Sequence, residues 1–208
     1  MAATVKRTGD GGQIQLIKPY CLVATLYTGD ASEEADNPAG DTIIFDEVVR
    51  DTTTISQDDN DSTEIENEFS DDPILEIVSL GKFQLEAEVA DVQKDILTKM
   101  ANFTYDETAK KIYAPASYEK TYAKIDLVFP NGEDADGNDT YMSVCVPKLQ
   151  LNSQMMCESL NSNLVRLKLA GTAKSVVLTI NGKKQKSAAY INESYTIPTV
   201  TDSTSEGA

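Results

Sequence analysis

Seventeen of the 34 acidic residues fall between Asp30 and Glu76, where Arg50 is the only base, so this stretch carries the whole net charge of −16 and the rest of the 208-residue chain is neutral. A block of like charge repels itself and is commonly a disordered tail. This block, however, contains runs of period two: Thr52-Thr53-Thr54-Ile55-Ser56-Gln57 and Glu64-Ile65-Glu66-Asn67-Glu68-Phe69. In the second run Glu64, Glu66 and Glu68 take one face of a strand, and Ile65 and Phe69 take the other. Such a stretch is expected to pack its apolar face and turn its carboxylates outward, which repels polyanions. The pattern points to a scaffold that does not stick to nucleic acid, rather than to a catalyst.

Composition removes several function classes. With 40 % apolar residues the chain can bury a core as one domain. The basic clusters Lys110-Lys111 and Lys183-Lys184-Gln185-Lys186 are too short for a phosphate-neutralising patch. There is no histidine, which takes away the commonest general base, the commonest metal ligand and the Ser-His and Cys-His pairs. Cys21, Cys145 and Cys157 are too widely spaced for a zinc site and are odd in number for a disulfide framework, so they read as small buried residues of a reducing compartment. Residues 1–12 are polar and lack the apolar core of a signal peptide, and no run approaches the length of a membrane span. Synthesis and folding in a cytoplasm are the expectation.

Along the chain, residues 1–12 read as a flexible arm. Gln13 to Tyr27 reads as extended, and Thr28 to Asp41 as a loop with no apolar residue larger than Ala. Short strands are expected at Ile43–Val49, Thr52–Gln57 and Thr63–Phe69. A turn at Asp71-Asp72-Pro73 follows, then strands at Ile74–Leu80 and Phe83–Val89. The period then changes. Val89, Val92, Ile96, Met100 and Phe103 recur at spacings of three and four, which predicts a helix over about residues 91–102 with Asp91 as its N-cap, lying across one end of the core. Further strands are expected at Thr121–Phe129, Tyr141–Val146, Leu149–Met155 and Leu164–Leu169, with a turn-rich loop from Pro130 to Asp139. Val176–Ile180, Asn181-Gly182 and Lys184–Ile191 suit a hairpin with a type I′ turn. Residues from Tyr195 to Ala208 read as a loose tail, so 176–208 is a hairpin and tail outside a domain spanning 13–175. The expected class is mainly β: a sandwich or barrel of short antiparallel strands with one flanking helix.

Few residue groups suggest chemistry. Asp134, Asp136 and Asn138 match the first ligand positions of a calcium loop, but Asp139 stands where the sharp turn wants Gly and Cys145 where the bidentate Glu belongs, so the bland reading is a solvated hairpin loop. Paired carboxylates arise by chance in a chain this acidic, and no nucleophile motif or phosphate-cradling loop is present. No cofactor and no catalytic residue are expected. The polar positions Lys148, Gln150, Asn152 and Gln154, with Glu64, Glu66 and Glu68, read either as the wet side of a one-sided sheet or as faces that several subunits align around a hole. The acidic loop with Asp30, Glu33, Glu34 and Asp36 has too few apolar residues to order itself, and reads as a segment that orders against a neighbouring subunit.

The order of elements resembles a known family. An early strand and a long polar loop precede acidic strands (TTTISQDDNDSTEIENEFSDDPILEIVSLGKF), a helix (DVQKDILTKM) and strands ending in VPKLQLNSQM and LVRLKLAGTA. Over residues 13–175 this resembles the major tail tube proteins of tailed bacteriophages, whose fold is shared by type VI secretion tubes. The resemblance implies a β-sandwich subunit forming hexameric rings, stacked into a tube with an acidic lumen through which DNA is ejected without specific binding. It further implies a virion protein made in the host bacterial cytoplasm, with no membrane association, whose partners are copies of itself, the tape measure, the tail terminator and, in contractile tails, the sheath. On that reading Glu64, Glu66, Glu68, Gln150, Asn152 and Gln154 line the lumen. The competing reading is a ligand- or carbohydrate-binding β-sandwich module, calcium-assisted through Asp134, Asp136 and Asn138. The lack of Trp counts against its aromatic platform.

Overall fold

A computed structural model describes residues 19–28, 38–46, 48–49, 51–67, 70–79, 81–90, 93–117, 120–156 and 166–199. The protein is mainly β, with antiparallel pairing throughout and one short helix among the described residues. The strands run β1 (Cys21–Leu26), β2 (Thr42–Phe45), β3 (Thr54–Gln57), β4 (Asp61–Asn67), β5 (Ser70–Ser79) and β6 (Phe83–Val89). Helix α1 (Lys94–Met100) is followed by β7 (Thr104–Asp106), β8 (Lys111–Tyr113), β9 (Thr121–Glu133), β10 (Asp139–Leu151) and β11 (Gln154–Met156). The chain continues through β12 (Arg166–Ala173), β13 (Val176–Ile180), β14 (Lys183–Ser187) and β15 (Tyr190–Tyr195).

The main sheet has the order β2-β1-β9-β10-β12-β6-β3, with β15 added to β10 and β11 to β12. Its two ends come together through one stretch of chain. Residues 42–45 pair with β1, while a few residues later Val48 bridges Val89 of β6 and Thr54–Gln57 pair with Phe83–Glu86. The Val49 N–H donates to the Glu88 carbonyl at 2.8 Å, and the Thr52 hydroxyl ties the turn by donating to the Val49 carbonyl and accepting from the Glu88 N–H. The described residues of segment 42–57 thus form a broken strand that closes the sheet toward a barrel, so alternate residues of every long strand can meet in one core.

That core holds Leu22, Leu26, Phe45, Leu85, Ile125, Leu127, Val146, Leu149, Leu167 and Leu169. Ile96, Leu97 and Met100 of α1 close it at one end. The helix has two turns rather than the expected three. It starts after Gln93, which makes no side-chain capping bond, and the expected cap Asp91 lies outside the described residues. Lys99 fastens it by an ion pair to Asp41 at 2.8 Å.

Several expectations are corrected. Asp71-Asp72-Pro73 is not a turn: all three sit inside β5, and the reversal falls between Asn67 and Ser70. The strand and loop boundaries around Pro130 and Pro147 also move, because β9 and β10 run through them as a long hairpin with a short turn at residues 134–138. Pro147 is accommodated because the register slips between Val146 and Leu149, where three residues of β10 face two of β9. The second strand of the C-terminal hairpin ends at Ser187, and Tyr190–Tyr195 instead joins the main sheet beside β10, with Cys145 opposite Tyr190. Beyond it Ile197 packs on Cys21, Val23 and Val128, so the segment just after Tyr195 is docked rather than loose. The Asn181-Gly182 turn is as expected, with left-handed φ angles of 51° and 75°.

Candidate assembly surface

The polar face of β6, β12 and the end of β10 carries the expected candidates Gln150 and Asn152 together with Gln84, Glu86, Thr172 and Lys174 around an open groove of about 480 Å³. Gly171 shapes it. A Cβ there would stand 2.4 Å from the Gln150 carbonyl oxygen, so a side chain would force β12 away from β10. The face is mixed in charge rather than acidic, and Lys82 lines the groove with Lys174. Lys168 holds Glu86 at 2.9 Å, Arg166 holds Glu88 at 3.1 Å, and the Gln84 amide donates to Asp58. Alternation explains it: the residues between, Leu85, Ala87, Leu167 and Leu169, are all in the core.

Glu64 and Glu66 are elsewhere. They lie in β4, which pairs with β5 as a separate two-stranded ribbon, Glu64 opposite Glu76, and not in the sheet that holds Gln150 and Asn152. Gln154 begins β11, opposite Lys168. Glu68 and the loop residues Asp30, Glu33, Glu34 and Asp36 lie outside the described residues, as do Cys157 and residues 1–12. The five described residues of that group, Glu64, Glu66, Gln150, Asn152 and Gln154, therefore divide between two sheets.

Lys148, read as part of the wet face, is instead only 2 % exposed. The register slip turns it inward, where its ammonium lies 5.1 Å from the Tyr122 ring centre and 5.5 Å from that of Tyr27. The Tyr27 hydroxyl donates to the Pro147 carbonyl at 2.8 Å, which fixes the same slip from the other side.

A second buried layer was not foreseen. On the face of β9 and β10 away from the main core, Asp126 is 4 % exposed, 3.3 Å from the Ser143 hydroxyl and 3.5 Å from Lys124. Burial, reinforced by this carboxylate, pushes the Cys145 thiol up to about 12 and raises Tyr195 well above the usual phenol range. Burial, then Asp46, lifts Cys21 to about 11, so both described thiols are inert neutral core groups as expected. The available signal was the mixture of Asp126 with small Ser143 and Cys145 in otherwise apolar strands. It marks a layer that needs a lid, and β15 with Ile197 supplies one.

The 134–138 turn uses its acid internally. Asp134 Oδ1 accepts the backbone N–H groups of Asp136 and Asn138, each at 2.9 Å, and the Asn138 side-chain amide donates to both carboxylate oxygens. These bonds, those from Asn138 foremost, hold the Asp134 carboxyl below its usual range. Gly137 takes the left-handed φ of 81° that the turn requires. Among the described residues no group of three His, Cys, Asp or Glu is placed to hold a metal, and no helix is long and apolar enough to cross a membrane.

A wider groove of about 830 Å³ runs along the sheet-ending strand β2, between Ile43 and Ile44, the Asp95 and Lys99 side of α1, and Ile197-Pro198. At the opposite end of the sheet path β3 likewise pairs on one side only among the described residues.

No sequence-family model and no curated protein matches the chain. In structure it is similar to a chain in the cryo-EM structure of the anti-feeding prophage baseplate, 6-fold symmetrised, at 11 % identity and a TM-score of 0.35, with 86 % of this chain and 97 % of that one covered. It is also similar to the crystal structure of Hcp protein, at 8 % identity and a TM-score of 0.32, with 81 % of this chain and 98 % of that one covered.

Proposed function

We propose that this protein is a non-enzymatic structural subunit whose copies form rings that stack into the tube of a phage tail, a conduit for DNA. The observation that carries the reading is the pair of short strands, β2 and β3, that end the sheet path with one side of each unpaired among the described residues. Unpaired edges template further pairing and are normally blunted or covered. A neighbouring copy adding its own strand would satisfy them, and such a head-to-tail contact closes into a ring. The polar face with Gln150 and Asn152 supports the reading as a wet wall, on which Lys168 and Arg166 are held by Glu86 and Glu88. The loop with Asp30, Glu33, Glu34 and Asp36 is a further inter-subunit element on this reading. Tape measure, tail terminator and, in a contractile particle, sheath would be the other partners.

Negative-stain microscopy of purified full-length protein tests this directly. Rings or tubes with a central hole are expected, and uniform monomers at high concentration would overturn it. Deleting residues 30–40 should leave a folded monomer that no longer assembles.

A further inference from the structure

The molecule carries two ribbons of opposite charge, each paired only with itself among the described residues. From Asp61 to Ser79, β4 and β5 with their connection contain seven acids and no base. The hairpin β13–β14 has Lys183, Lys184 and Lys186 and no acid, within a stretch from Ser159 to Asn192 that has no acidic residue at all. The three lysines are exposed, and among the described residues no carboxylate pairs with them. An isolated two-stranded hairpin is at best marginal in water. Two of them, oppositely charged, call for a partner surface.

Register fixes where both are rooted. The acidic ribbon leaves the sheet between Gln57 and Phe83, which face each other, and the lysine hairpin leaves β12 after Ala173. Since Gln84 faces Thr172, the two roots are adjacent, at the same end of neighbouring strands. Oppositely charged arms at the same end of every copy cannot meet by stacking one copy on top of another in the same orientation. They can meet side by side. The ten-residue β5, roughly 33 Å long at strand rise, is long enough to lie over a neighbour.

We infer that the acidic ribbon of one copy docks on the Lys183–Lys186 hairpin of the copy beside it, so that the partner of each ribbon is a second copy of this chain. This rests on the self-assembly reading. It gives the ribbon's carboxylates a lateral contact to make, where the sequence alone suggested a lumen.

The test uses two full-length variants, K183E/K184E/K186E and D61K/E64K/E66K/D71K/D72K/E76K, the second turning the ribbon basic with only Glu68 left acidic, checked for cooperative unfolding and followed by sedimentation and microscopy at low salt. Neither variant alone should assemble, because every side-by-side contact is then like-charged. An equimolar mixture should assemble into even-numbered alternating rings, with association at least tenfold tighter than either alone and the advantage shrinking as salt shortens the screening length. If a charge-reversed set fails to fold, the Lys→Gln set replaces it, with weakened wild-type-like assembly and reduced salt dependence expected. Wild-type rings with variants that assemble as well as wild type would overturn the inference alone. So would a mixture that is not rescued, which is the outcome of pairing within one chain, or a mixture that stops at dimers. Retention of duplex DNA by wild-type protein, lost in K183E/K184E/K186E while assembly is kept, would assign the hairpin to phosphate instead. Wild-type protein that stays monomeric would sink the self-assembly reading and this inference together.

Discussion

The two faces of β9 are both buried, but by different means. One face puts Ala123, Ile125, Leu127 and Phe129 into the main apolar core. The other puts Asp126 beside Ser143, Lys124 and Cys145, with Val128 in a small cluster covered by Tyr195 and Ile197. The first face is buried because the strands it needs are its sheet neighbours and the closing segment 42–57. The second is buried because a later part of the chain returns to cover it. Burial by closure yields a dry core that tolerates no polar group. Burial by a lid leaves a layer in which a carboxylate survives if it keeps partners.

The largest effect expected from this contrast is on the dry side. Leu127→Ala should cost about 2–5 kcal/mol of unfolding free energy, since the transfer loss adds to a cavity that a closed sheet cannot collapse. Asp126→Ala should cost less, about 1–3 kcal/mol, the penalty for leaving Ser143 and Lys124 without their acceptor. Denaturant unfolding of both variants measures the difference, and equal losses would erase the distinction between the faces. The smallest effect is alkaline and belongs to the lid side. Burial raises the thiols of Cys21 and Cys145 from 9.0 to about 11 and about 12, so the unfolded chain gives up these protons first as pH rises. Their contribution to stability is complete below about pH 9 and is lost as the pH climbs through the folded-state values. The unfolding midpoint should therefore fall between pH 9 and 11, more steeply in wild type than in Cys145→Ala. Identical slopes would mean that Cys145 is not shut away from solvent by β15.

How much of this was readable in the sequence follows the same division. Alternation located most strands, the Asn181-Gly182 turn was explicit, and Ile96 with Met100 marked the face of α1. Alternation states that a segment is a strand but not which strand lies beside it. That is why alternation groups Glu64 and Glu66 with Gln150 when, among the described residues, β4 and β5 pair with each other, and why it assigns Tyr190–Ile191 to the hairpin when they pair with β10. Prolines misled for a local reason. Pro147 reads as a strand breaker, and the register slip that admits it depends on Tyr27, 120 residues away, donating to its carbonyl. Of the candidate surface, Gln150 and Asn152 were found together, while the cations that neutralise their face required the β6–β12 register to be seen.

The lid has a consequence for timing. β9 and β10 emerge during synthesis well before Tyr190–Tyr195, so for that interval the first half of β10 has β9 on one side and nothing on the other. An open strand edge is the most adhesive thing a nascent β protein can show. Asp126 lies next to that edge, and until Tyr195 arrives its carboxylate is open to water. A hydrated carboxylate beside an open edge discourages premature partners there. The last strand both fills the edge and removes the guard, so that a sheet is sealed only in chains that have reached residue 195.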